Sequence, residues 1–281
     1  MRKLFFVVLL LASVALWLHP LASTLDLALE SEAYTHILLI LPLGLGLIYM
    51  RRQVMGSHLE PSVVAGASVL AGALLMTAAA KYTSGLPGDI RLSLSMFALV
   101  AWWIGSVILC FGIQAFRSFL FPLCFLFLLV PLPTFVLDWV IAFLQHQSAV
   151  SARVLFRSVG VPVTQDGVTL SIPGLDIEVA HECSSIRSSL MLVVTTIILA
   201  QLFLRSWWRQ VLLIVAAVPL SIAKNALRIV VIAELGTRVD PDYLTGSLHH
   251  HGGVVLFALS VVAVAALLLV LRKTEPRNAR E

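Results

Sequence analysis

Three reactive residue types stand at the edges of apolar runs in this chain. Cys183 lies in His181-Glu182-Cys183-Ser184-Ser185-Ile186-Arg187, where a polar segment meets a long apolar one. Lys224-Asn225-Ala226-Leu227-Arg228 falls inside a later apolar run, and His249-His250-His251 stands just before another. A thiol nucleophile, a cation placed to hold an oxyanion and an imidazole base are the parts of a cysteine-based acyl-transfer site.

Each residue also has a plainer reading. If Cys183 opens a helix, free N–H groups and the helix dipole favour its thiolate. The N–H groups of Ser184 or Ser185 are then available to an oxyanion, and Arg187, one turn on, adds positive charge. Glu182 opposes the thiolate unless it points away. Lys224, Asn225 and Arg228 share one broad helical face. Two cations inside a span cost about 2.5–3.5 kcal/mol each on insertion scales. The plain alternative is a structural ion pair of Arg228 with Glu234 or Asp138. Lys224 is either a substrate contact or a helper charge. The histidines titrate near neutral pH and suit a cysteine partner. They could instead bind a metal with His181, Glu182 or Cys183, but three consecutive histidines do not converge on one ion without strain. No metal or cofactor is expected. Cys110 and Cys124 lie within apolar runs, where cysteine behaves as a small hydrophobe.

Helices crossing a bilayer must position these groups. The chain has 281 residues, 59% of them hydrophobic and 12% charged, where soluble domains carry about 25% charged residues. Eight apolar runs approach the roughly 20 residues needed for a span, near residues 4–19, 34–50, 62–80, 92–113, 118–133, 185–204, 210–234 and 253–271. The run 4–19 is read as the first helix rather than a cleaved leader. The expected fold is therefore an all-α polytopic membrane protein of about eight transmembrane helices, one integral membrane domain over residues 1–281.

Residues 134–182 form the longest segment outside the spans and read as a small extracytoplasmic cap. Phe135, Trp139, Phe143, Val150, Val154 and Leu155 recur at roughly helical spacing, which predicts a helix lying in the interface. Val161 to Ile172 reads as a hairpin around Asp166-Gly167. Pro173-Gly174 turns the chain into the alternating stretch Leu175 to Val179, a strand that leads to Cys183.

Loop charge sets the orientation. With the N-terminus inside, the inner segments carry Arg2, Lys3, Arg51, Arg52, Arg117, Arg205, Arg209, Arg272, Lys273, Arg277 and Arg280, against Glu60, Glu275 and Glu281. This Lys/Arg bias predicts that both termini are cytoplasmic. It also accounts for the net charge of +4, so nucleic acid is not an expected partner. Cys183, Arg228 and the histidines then fall at the same outer membrane face.

The stretch from Phe121 to Phe257 resembles the exosortase/archaeosortase family. The resemblance is carried by Pro131-Leu132-Pro133, Leu144-Gln145-His146-Gln147-Ser148-Ala149, Gly160-Val161-Pro162-Val163 and the Asp166-Gly167 turn. It continues through Val179-Ala180-His181-Glu182-Cys183-Ser184-Ser185-Ile186-Arg187-Ser188, Asn225-Ala226-Leu227-Arg228-Ile229 and His249-His250-His251-Gly252-Gly253 on to Phe257. Ser185 and Glu182 depart from the family's commoner glycine and alanine, which suggests a subgroup. The resemblance implies a plasma (inner) membrane thiol protease or transpeptidase. Its substrates would be exported proteins tethered by a C-terminal sorting tail: a motif such as Pro-Glu-Pro, a transmembrane helix and a basic cluster.

The family's Cys, Arg and His map onto Cys183, Arg228 and one histidine of the triplet. His-x-x-x-Gly-x-x-x-Phe spacing selects His249, with His250 and His251 still open. Arg187, Lys224, Asn225 and His250 are the expected substrate contacts. Two other classes compete: a non-enzymatic membrane factor for exopolysaccharide export, and a transporter with Lys224 and Arg228 lining an anion path. A zinc-dependent membrane hydrolase is a further rival, one that chelators would inhibit.

Overall fold

The computed structural model describes residues 1–50, 60–179, 186–240 and 247–275; within the last range, side chains are described from residue 253. Helices dominate: α1 (Arg2–Leu16), α2 (Leu18–Glu30), α3 (Ile37–Met50), α4 (Val63–Tyr82), α5 (Gly88–Ser118), α6 (Leu120–Phe125), α7 (Thr134–Ser158), α8 (Ile186–Phe203), α9 (Trp207–Arg238) and α10 (Ser247–Lys273). Six helical segments among the described residues are long and apolar enough to cross a membrane, or up to eight if each of two bent pairs is one span. The chain is an all-α polytopic membrane protein with one small sheet.

The two bent pairs refine the expected spans. The run 4–19 is not one straight helix. It breaks at Trp17, and α1 and α2 meet at 68°. Pro20 lacks the N–H that would bond the carbonyl of Leu16, so the helix gives way one turn before it. The run 118–133 is α6 followed by a 3-10 turn over Leu126–Leu129, with α7 bent from it by 93°. Val130 is extended, at ψ 115°, as a residue before proline prefers.

The chain divides into two compact units, Met1–Leu137 and Asp138–Glu281. In the first, α4 and α5 pack most closely. A Cβ at Gly66 would stand 2.5 Å from the Leu109 backbone. α5 is interrupted at Gly112, whose φ of +86° is left-handed and open to glycine at little steric cost. The break frees the Ile108 carbonyl, which accepts a hydrogen bond from Ser62 N at 3.3 Å. The Pro131-Leu132-Pro133 corner is held by three bonds. Ser93 Oγ donates to Pro131 O (2.7 Å), Tyr34 Oη donates to Leu132 O (2.7 Å), and Thr134 N donates to the Asp89 carboxylate (2.8 Å).

In the second unit the expected helix, hairpin and third strand form. α7 is followed by an antiparallel sheet of β1 (Thr164–Asp166), β2 (Thr169–Ile172) and β3 (Leu175–Glu178) in that order. Asp166 pairs with Thr169 and Ile172 with Leu175, so both turns have two central residues. Gly167 (φ +59°) and Gly174 (φ +84°) supply the positive φ these turns need. Ala149, Ala152 and Phe156 of α7 pack with Val161, Val163, Leu170, Ile172 and Val179 of the sheet region. The same cluster takes in Ala226, Ile229, Val230 and Ala233 of α9. The other face of α7 leaves Trp139 69% exposed, stacked on exposed Phe143 with ring centroids 6.1 Å apart. That is the amphipathic pattern of an interfacial helix.

Candidate active site

α9 is the element that organises the second unit. Its cap-facing side carries Ala226, Ile229, Val230 and Ala233. On its opposite side, Leu213, Ala217, Ser221, Lys224 and Arg228 recur every three or four residues as one stripe. Leu213 packs with Leu192 and Ala200 of α8 and with Val264, Leu268 and Leu271 of α10. Ala217 and Ser221 are buried as well. The stripe therefore runs from an apolar three-helix core into polar groups toward the C-terminal end of α9.

The polar part makes specific contacts with the first turn of α8. Ser221 Oγ donates to Ser189 Oγ, and Lys224 Nζ donates to Ser188 Oγ. Lys224 is 6% exposed, so its ammonium is sheltered, and the partner at Nζ is a hydroxyl. Asn225 is buried beside it, and Arg228, one turn on, is half-buried. Glu234, one expected partner of Arg228, pairs with Arg238 at 2.7 Å. Arg187 is exposed in the first turn of α8. The three serines carried no weight in the sequence. Their only signal was a Ser-Ser pair opening an apolar helix and a serine three residues before a buried lysine.

The chain that carries Cys183 is anchored on both sides. On the upstream side Val179 is buried in the cap cluster against α9, and its carbonyl accepts from Gln145 Nε2 of α7 at 3.1 Å. On the downstream side Ser188 meets Lys224. His181, Glu182, Cys183, Ser184 and Ser185 themselves lie outside the described residues. His249, His250 and His251 occupy the first turns of α10, with their side chains also outside. Of the other cysteines, Cys110 is buried and Cys124 exposed. Among the described residues no group of three or more His, Cys, Asp or Glu side chains could hold a metal ion.

The opposite end of α9 is tied to the end of α10. Glu275 accepts from the N–H groups of Arg205 (3.1 Å) and Ser206 (2.9 Å), just ahead of α9. Buried Arg209 donates to the carbonyls of Leu271 and, at 2.6 Å, Thr274. A carboxylate at one helix start and a guanidinium at another helix end both complement the helix dipoles. These contacts fix the register of α10 on α9.

A sequence profile of the transmembrane exosortases, of the EpsH type, matches residues 28–266. The chain belongs to the transmembrane exosortase family. The match starts in α2 and ends in α10, so it takes in the upstream helices, well before the motifs that begin near Phe121. It also embraces the cap, the polar end of α9 and the start of α10. No curated protein and no solved structure gives a significant match. As an exosortase-family chain it is a multi-pass membrane protein of the class that processes sorting signals.

Proposed function

We propose that this exosortase-family protein is a cysteine transpeptidase or protease that cleaves C-terminal sorting tails, with Cys183 as nucleophile, His249 as base and Arg228 as the oxyanion or carboxylate contact. The observation that carries the reading is the register of α8 on α9. Ser188 meets Lys224 and Ser189 meets Ser221, so the two helices run antiparallel. Arg228 lies one turn beyond Lys224 on α9, and Cys183 precedes Ser188 by five positions in the sequence. Five residues of chain from Ser188 reach no more than about 18 Å even when extended.

The start of α10 supports His249. Its packed stripe includes Phe257, Ser260, Val264 and Leu268. The His-x-x-x-Gly-x-x-x-Phe pattern selects position 249.

The chemistry follows. His249 takes the Cys183 proton, and the thiolate adds to the scissile carbonyl. Arg228 stabilises the oxyanion, as preorganised charge in a sheltered site does. The C–N bond breaks, the imidazolium gives its proton to the departing amine, and a thioester remains on Cys183. Water or an amine then attacks the thioester and returns the thiol. Lys224 and Arg228, two cations one turn apart on one face, repel each other. An acidic residue in the recognition motif relieves that repulsion when it binds. Arg187, Asn225 and His250 complete the substrate contacts.

In this reading both termini are cytoplasmic, the site faces outward from the plasma membrane, and the cap over residues 134–182 lies at that face. The test is co-expression with a reporter carrying a Pro-Glu-Pro-type tail, followed by mass spectrometry of the tail. Wild type trims the reporter and Cys183→Ala does not. Equal trimming by both removes the thiol mechanism.

A further inference from the structure

The first unit holds a cavity of about 340 Å³ between α1, α3, α5 and α6, at the lower end of ligand-pocket sizes, about 300–1,000 Å³. Its wall includes Phe6, Val14, Leu45, Trp103, Phe119 and Leu123. The two polar groups in that wall satisfy each other. Trp103 Nε1 donates to Ser13 Oγ at 2.9 Å, and Ser13 Oγ donates to Leu10 O at 2.6 Å. A water needs two to four polar partners, so the cavity suits hydrocarbon. Leu45, on the wall, is 63% exposed, so the cavity opens at the side of the unit. α3 and α5 are apolar enough to span, and α1 and α6 belong to the bent pairs, so the medium at that opening is the lipid core.

Three basic residues lie close in sequence to one end of the cavity. Phe6 packs with Phe111 and Ala115 at that end. Arg2 and Lys3 lie one turn before Phe6, and Arg117 lies two residues after Ala115. All three are exposed, as is one acid, Glu60, whose backbone lies beside Gly112 of α5. We infer that this cavity is a binding site for an anionic phospholipid of the surrounding bilayer, one acyl chain between α1, α3, α5 and α6 and the phosphate among Arg2, Lys3 and Arg117. The chain alone would be served equally by a neutral lipid. The three cations make the site selective, since each basic residue near a membrane surface contributes about 1 kcal/mol toward anionic lipid, about fivefold in affinity. The site is independent of the processing chemistry proposed above.

Tryptophan quenching by brominated lipids tests it on the full chain in dodecyl maltoside. Dibrominated phosphatidylglycerol is compared with dibrominated phosphatidylcholine. Phosphatidylglycerol should half-saturate the quenching at a concentration at least about tenfold lower, and Trp103→Phe should remove most of the quenched signal. The triple variant Arg2→Gln, Lys3→Gln, Arg117→Gln should abolish the difference between the lipids while leaving quenching at saturation. Ala115→Phe should weaken quenching by both lipids. Leu45→Phe, at an exposed position, does the same where Ala115→Phe fails to fold. Equal half-saturation by the two lipids in the wild type, or quenching that survives Trp103→Phe and Leu45→Phe in full, overturns the proposal.

Discussion

Lys224 of α9 donates a hydrogen bond to Ser188 in the first turn of α8. A buried ammonium therefore rests on a hydroxyl five residues after Cys183. The contact joins the polar end of the α9 stripe to the chain that carries the proposed nucleophile.

That contact predicts an order of stability. Ser188→Ala removes an acceptor from a sheltered cation, and losing a hydrogen bond to a charged group costs about 1.5–3 kcal/mol. Lys224→Met replaces a buried cation, which is costly to keep from water, with an apolar chain of similar length. Thermal unfolding in detergent should place Ser188→Ala below the wild type and Lys224→Met at or above it.

Arg228→Lys keeps the charge and loses the planar fork. If the guanidinium holds an oxyanion or a carboxylate, the substitution lowers tail cleavage by about 100-fold or more. The melting temperature should stay within a few degrees of wild type. Rates near wild type would remove Arg228 from the chemistry.

The histidines are separable by their place in the motif. His249→Ala should reduce cleavage by about 100-fold or more, the usual worth of a general base. His251→Ala, outside the His-x-x-x-Gly-x-x-x-Phe spacing, should stay within about twofold of wild type. Initial rates on one sorting-tail reporter compare them directly.

Two glycines make opposite predictions for the first unit. A Cβ at Gly112 would stand 1.9 Å from the Glu60 carbonyl oxygen, at a left-handed φ, so Gly112→Ala should destabilise by several kcal/mol. Gly46, within α3, has nothing within 4 Å of a Cβ. Gly46→Ala should be neutral or stabilise by about 0.5–1 kcal/mol, by helix propensity and reduced unfolded-state entropy. Unfolding in detergent gives both.

Much of this architecture was legible in the sequence. Spans read directly because long apolar runs have no other solution in lipid. The cap hairpin and third strand read from Asp166-Gly167 and Pro173-Gly174, because those turns demand glycine at positive φ. The break at Trp17 was less visible, since hydropathy continues across it while the backbone does not, whereas Pro131 marks the one at Val130. The Ser188–Lys224 and Ser189–Ser221 contacts were not legible. Single hydroxyls in apolar runs carry no periodic signal, and their partners are about thirty-five residues away. The α1–α3–α5–α6 cavity depends on helix shape, which no local pattern encodes. Cys183, the residue that first suggested an enzyme, lies outside the described residues. Its role therefore rests on its motif, the family and its anchored neighbours.

The central claim is a thioester on Cys183. Purified protein incubated with a Pro-Glu-Pro-tailed reporter, quenched in acid and digested, should yield a Cys183 peptide carrying the reporter's acyl fragment. Hydroxylamine should release that fragment, and Cys183→Ala should give neither the adduct nor cleavage. Cleavage at the wild-type rate by Cys183→Ala, with no acyl adduct on Cys183 in the wild type, would contradict the account.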